Sequence, residues 1–132
     1  YMIPQESGRI INISSMYGKL VIPNQAPYCT TKHALNGLTK VVAAEVGEIG
    51  ITVNALCPGG VLTDVMKESG PAAAESLGME FEEFLVWMQQ PSAIKRMNTV
   101  EDCALVAVLL ASEAGAGITG SCISIDGGQA PY

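Results

Sequence analysis

Three short apolar runs alternate with longer stretches of helical periodicity. Gly8-Arg9-Ile10-Ile11-Asn12-Ile13-Ser14-Ser15 is β-branched behind a glycine, the pattern of a strand buried on both faces. From Gln25 to about Gly47, Ala26, Leu35, Leu38, Val41, Val42 and Val46 recur at three- and four-residue steps, which predicts a long helix with Gly47 as its stop. Ile51-Thr52-Val53-Asn54-Ala55-Leu56 predicts a second strand, closed by Pro58-Gly59-Gly60, which should not continue a ladder. Between Asp64 and Pro91 the pattern changes to a helical flap, interrupted at Gly70-Pro71 and bulky from Met79 through Phe81, Phe84, Leu85, Trp87 and Met88. Thr99 caps a further helix that runs to about Ser112, with Glu101 and Asp102 in its first turn. Ser121 to Asp126 then makes a third strand, ended by Gly127-Gly128. This alternation predicts an α/β fold: a partial, Rossmann-like, doubly wound parallel sheet of three strands with right-handed crossovers.

Composition narrows the function classes. Seven basic residues against thirteen acidic ones give a net charge of -6, which repels a phosphate backbone, so nucleic acid is not an expected partner. No apolar run approaches the ~20 residues needed to span a bilayer, and no membrane partner is expected. The opening Tyr-Met-Ile-Pro-Gln-Glu lacks the basic start and apolar core of a secretory signal, so a cytoplasmic location is expected. Cys29, Cys57, Cys103 and Cys122 lie in apolar surroundings without any Cys-x-x-Cys pair, which fits reduced, structural thiols, and no metal site is expected.

The chemistry concentrates at strand ends and on the long helix. Tyr28 and Lys32 are four positions apart, hence on one helix face about a turn from each other. A cation there favours the phenolate, as a general acid/base requires, although the same spacing also describes an ordinary surface pair. Ser15 ends a parallel strand at its carboxyl side, where open α/β sheets place ligands; it could equally cap a loop, and Ser14 is its neighbour. Pro58-Gly59-Gly60-Val61-Leu62-Thr63 ends the next strand on the same side with open backbone groups and a hydroxyl, and by itself is merely a turn. His33, the only histidine, points about 100° away from Lys32 and fits a packing or interface role. Arg96 is expected to fix the end of the flap.

Taken together, Asn12-Ile13-Ser14-Ser15, Tyr28-Cys29-Thr30-Thr31-Lys32, Asn54 through Thr63, and Thr119-Gly120-Ser121 through Asp126-Gly127-Gly128 resemble the short-chain dehydrogenase/reductase family. The resemblance covers nearly the whole chain apart from the flap. It implies an NAD(P)-dependent oxidoreductase that interconverts a secondary alcohol and a ketone, with NAD or NADP as cofactor and a homodimer or homotetramer as the assembly. By the family's spacing the catalytic serine is Ser15 rather than Ser14. Tyr28 would exchange the proton with the substrate oxygen, Ser15 would polarise that oxygen, and Lys32 would lower the tyrosine pKa and bind the nicotinamide ribose. Pro58, Gly59, Val61 and Thr63 would hold the nicotinamide carboxamide beside Tyr28 and Lys32.

The departure is as informative. No Gly-x-x-x-Gly-x-Gly turn is present to cradle a pyrophosphate, nor the Asn-Asn-Ala-Gly segment and helix asparagine of the family. The chain is therefore expected to be the carboxyl-terminal catalytic half of one Rossmann-type domain over residues 1–132, its amino-terminal dinucleotide-binding half absent, with a substrate lid at about 64–91. The flap could instead pack against a subunit. Such a half alone is expected to aggregate or to stay loosely packed because of its open strand edge, to bind NAD(P) weakly or not at all, and to be inactive. The alternative is a non-catalytic remnant or interaction module. For the intact protein, the aromatic and Met content of the flap points to a small, largely apolar substrate.

Overall fold

The computed structural model describes residues 1–130 and Tyr132. After a one-turn helix α1 (Met2–Gln5), the chain forms β1 (Gly8–Ile13), α2 (Ala26–Val46) and β2 (Ile51–Pro58). It continues through α3 (Asp64–Ser76), α4 (Phe81–Gln89) and α5 (Val100–Ala111) to β3 (Cys122–Ile125). The strands form one parallel sheet in the order β1-β2-β3. The α/β architecture read from the hydrophobic pattern is the one observed.

Side-chain alternation assigns the two faces. Ile10 packs with Ala43, Ile51 and Val53 against α2, and Asn12 Nδ2 donates to Thr39 Oγ1 of α2 at 2.9 Å. Arg9, on the opposite side of the pleat, reaches Glu113 just past α5 at 3.3 Å. The helices α2 and α5 thus cover opposite faces, and β2 between them is buried nearly throughout. Two parallel crossovers that step the same way across a sheet but lay their helices on opposite faces have opposite hands. The expectation of right-handed crossovers therefore fails for one of them. The compact β1-α2-β2 unit is the kind the rule governs, whereas the β2-to-β3 connection carries the two additional helices α3 and α4.

Three local expectations change as well. β1 is half-buried rather than enclosed, and Ile13 is 58% exposed, because among the described residues β1 pairs with β2 alone. The long helix does end at Val46 with Gly47 as its C-cap; the chain then makes one 3-10 turn and reverses at Gly50, φ +73, where a Cβ would strike the Glu6 carbonyl. Pro58 does continue the ladder. The N–H groups of Ala55 and Gly59 bond to Ser121 and Ile125, so the N–H that Pro58 lacks would have faced β1, which has already ended at Ile13. Finally, α3 runs unbroken through Gly70-Pro71. A proline clashes with the Cβ of the residue before it, and Gly70 has none; the Phe81 ring of α4 packs into that gap.

The flap made by α3 and α4 is tied off at its base. Asn98 N–H donates to the Gly60 carbonyl at 2.9 Å and the Asn98 carbonyl accepts from Leu62 N–H at 3.3 Å. Behind this neck, Thr99 and Asp102 form a reciprocal capping box at the start of α5. Arg96 donates to both Asp102 oxygens at 2.6 and 3.2 Å, so it does fix the end of the flap. The Arg96 hydrogen bond, helped by the Thr99 amide, pushes the Asp102 carboxyl down to about 2. A carboxylate whose folded pKa lies below its unfolded value stabilises above that unfolded value, and the benefit is lost as pH falls through the folded one. The Thr99 and Asp102 amide resonances should therefore titrate together with a midpoint near about 2, and Asp102→Asn should abolish that step. A midpoint at an ordinary carboxylate value of ~4 would show that the clasp does not form.

Candidate active site

The loop that leaves β1 carries Ser14 and Ser15, 5% and 7% exposed, into the junction between the sheet and α2. Ser14 Oγ donates to the Lys32 carbonyl at 3.3 Å. Ser15 Oγ accepts from Tyr17 N–H at 3.1 Å as the cap of a single 3-10 turn, Met16–Gly18. The loop-capping reading of Ser15 is thus correct as geometry, and its hydroxyl proton is still available to donate. Gly18 at the end of this turn packs against Ser14 and α2. A Cβ there would lie 2.6 Å from Asn36 Nδ2, 2.7 Å from Ser14 Oγ and 2.8 Å from the Lys32 carbonyl.

Tyr28 and Lys32 lie one turn apart on α2, as their spacing requires. Lys32 Nζ sits 5.6 Å from the centre of the Tyr28 ring and donates to the Ile13 carbonyl at the end of β1, 2.9 Å away. Tyr28 is 42% exposed and meets Tyr17 edge-on, ring centres 6.4 Å apart. Burial first, then Cys29 and Tyr28, pushes the Tyr17 phenol above its usual value, so Tyr17 stays protonated at neutral pH. His33 Nδ1 pairs with the Cys29 carbonyl at 2.9 Å, a local contact on the helix. The thiols of Cys29 and Cys57 are buried and those of Cys103 and Cys122 half-buried.

The Pro58–Thr63 turn leaves the same end of the sheet. Gly59 lies so close to Asp126 that a Cβ would meet its Cα at 2.8 Å. Thr63 Oγ1 caps α3 by accepting from Met66 N–H at 3.2 Å, and the Val61 carbonyl accepts from Thr63 N–H at 2.9 Å. Among the described residues no hydrogen bond engages the Val61 N–H. One open donor and one hydroxyl suit a planar carboxamide, so this turn fits the end of a nicotinamide ring.

A groove of about 950 Å³ opens in front of Tyr28. It runs between the loop after β1 and the flap and is lined by Met16, Tyr17 and Tyr28 on one side and Met66, Phe84, Trp87 and Met88 on the other. The structure thus brings Tyr28 and the bulky flap residues to one cavity; Ser15, Lys32, Val61 and Thr63 are not among the residues that line it.

Along residues 1–130 the chain matches the family model described as enoyl-(acyl carrier protein) reductase. It is 43% identical over 122 residues to a D-beta-hydroxybutyrate dehydrogenase from Rhizobium meliloti, covering 92% of this chain and 47% of that protein. The chain belongs to the short-chain dehydrogenase/reductase family. A diacetyl reductase from Staphylococcus aureus is 41% identical over 124 residues, covering 92% of this chain and 47% of the relative. Among solved structures, a variant of the actinorhodin polyketide ketoreductase with NADPH superposes with a TM-score of 0.92 at 30% identity, over 99% of this chain and 50% of that one. This family member therefore spans about half the length of the curated relatives it matches.

Two contributors escaped the sequence reading. Asn36, 6% exposed, donates from Nδ2 to the Gly18 carbonyl at 2.9 Å, and its Oδ1 faces Cys57 Sγ at 3.8 Å. It continues the Tyr28, Lys32 stripe by another four residues, and that spacing was the available signal. Asp126, 3% exposed, accepts from the N–H groups of Gly128, Gln129 and Ala130, which folds the glycine turn under the flap. Gly18→Ala should cost ~1–3 kcal/mol by overpacking, and Asn36→Ala a similar ~1–3 kcal/mol by leaving the Gly18 carbonyl unpaired. Urea unfolding should register both losses, whereas Gly37→Ala, where a Cβ meets nothing within 4 Å, should not destabilise.

Proposed function

We propose that this protein, as a whole, is an NAD(P)-dependent oxidoreductase that interconverts a secondary alcohol and a ketone. The observation that carries the reading is Tyr28, one turn from the Lys32 ammonium and half-exposed at the mouth of an apolar groove. A phenol so placed can hand its proton to a ketone oxygen, or take one from an alcohol, within hydrogen-bond reach of the groove. Lys32, anchored on the Ile13 carbonyl, places a positive charge where negative charge develops on the phenol oxygen during the transfer. Ser15 donates its free hydroxyl proton to the same substrate oxygen and polarises it.

A bound nicotinamide supplies or accepts the hydride. Val61 N–H and the Thr63 hydroxyl would hold its carboxamide at the end of β2, with Pro58 and Gly59 shaping the turn, and Lys32 and Tyr28 would complete the site. The glycine-rich pyrophosphate cradle is not among the 132 residues of this chain, so tight cofactor binding is a property of the whole protein. Relatives named for a hydroxy acid and for diacetyl and a neighbour solved with NADPH support this class of reaction.

In the whole protein, with turnover followed by NAD(P)H absorbance, Tyr28→Phe should lower kcat by ~100-fold or more while leaving the fold intact. A variant retaining more than about a tenth of the rate, a loss below ~1.4 kcal/mol, would exclude Tyr28 as the acid/base and favour a non-catalytic module. Lys32→Met should raise the KM for cofactor and lower kcat together.

A further inference from the structure

The groove in front of Tyr28 has a chemical character that the catalytic residues do not dictate. Among the described residues, none of its lining side chains is an Asp, Glu, Lys, Arg or His, in a chain that carries 20 Asp, Glu, Lys and Arg residues, seven basic and thirteen acidic. Its walls are aromatic and thioether surfaces, and Phe84 and Trp87 stack at 5.9 Å with their planes 22° apart. The polar groups that reach it are neutral, chiefly the amides of Gln25, Gln90 and Gln129. Gln25 stands at the start of α2 without making a side-chain cap, which leaves its amide available to a ligand.

We propose that this groove selects a neutral, ring-bearing hydroxy or keto compound and discriminates against carboxylates and phosphates. The inference rests on the oxidoreductase reading and names its substrate class. An anion entering the groove would leave water without meeting a cation among the lining residues, the nearby Lys32 ammonium being held by the Ile13 carbonyl, and burial of an unpaired charge is strongly unfavourable. The positive end of α2 is a weak substitute, because Pro27 in its first turn has no N–H to offer. Amides, in contrast, both donate to and accept from carbonyls and hydroxyls at no cost in charge. Aromatic faces on both walls suit a ring.

Trp87, the only tryptophan, is 48% exposed in this groove and reports occupancy without turnover. Titrating the whole protein with decalone, a neutral bicyclic ketone, should change Trp87 fluorescence, read as the difference from a Trp87→Phe variant, at concentrations at least ~10-fold below those needed for acetoacetate, the charged keto acid. Gln25→Lys should narrow the gap by improving acetoacetate binding ~10-fold. Acetoacetate acting at equal or lower concentration than decalone would overturn the proposal, as would a Gln25→Lys variant that binds both ligands unchanged. The two readings fail separately. Preference for acetoacetate together with loss of turnover in Tyr28→Phe would remove the substrate class and leave the oxidoreductase standing. Decalone binding with turnover unaffected by Tyr28→Phe would do the reverse.

Discussion

Gly18 lies so close to α2 that no side chain fits between them, and the rest of the site depends on that contact. Its carbonyl accepts from Asn36, the neighbouring Ser14 hydroxyl bonds the Lys32 carbonyl, and Lys32 Nζ returns to the Ile13 carbonyl. Three hydrogen bonds therefore close a loop from the end of β1 to α2 and back. The Asn36 bond is buried and the Ser14 bond partly buried, where an unmade partner is costly, while the Lys32 bond faces solvent. The two hydroxyls proposed to meet one substrate oxygen sit on two elements, Ser15 on the loop and Tyr28 on the helix. This seam ties those elements together.

The second constraint is at the other end of the groove, where a mobile-looking insertion is anchored at both feet. The neck at Gly60, Leu62 and Asn98 closes one side. Ser92, Ala93 and Ile94 all reach the Gly127 carbonyl on the other, and the buried Asp126 carboxylate shapes that turn by accepting three backbone N–H groups. Between these anchors α3 and α4 touch the body mainly through apolar side chains, a contact that tolerates small displacements better than directed hydrogen bonds do. The inner face between these anchors is a wall of Met66, Met88, Phe84 and Trp87, in which unbranched methionines fill irregular space.

Charge is distributed to match. The ion pairs Lys67–Asp64, Arg96–Asp102 and Arg9–Glu113 each keep at least one partner in solvent, and apart from the Asp126 carboxylate the buried polar side chains are neutral: Asn54 bonds the Ile118 carbonyl and the Ser121 N–H, and Thr39 bonds Asn12 and the Leu35 carbonyl. Neutral networks hold the sheet to its helices without the desolvation that buried ions incur. The groove inherits the same neutrality.

Hydrophobic period alone determined the elements, because burial of one helix face or of both strand faces must repeat at 3.6 or 2 residues whatever the tertiary context. It located α2 within a residue at its start, β2 and β3 nearly to their ends, and the Thr99 cap of α5. Spacing also put Tyr28 and Lys32 on one face. It could not decide where the glycines acted. Gly47, Gly50, Gly59 and Gly70 look alike in one dimension, yet Gly50 reverses the chain and Gly70 admits a ring from a helix that begins eleven residues later. Crossover hand, the exposure of Ile13 and the tie from Asn36 to Gly18 depend on which surfaces meet across the sheet, and residues far apart in sequence carry no periodic signal of that meeting. Pro58 shows the limit most clearly: whether a missing N–H matters depends on which neighbour it would have faced, and only the tertiary structure, by ending β1 at Ile13, made it harmless.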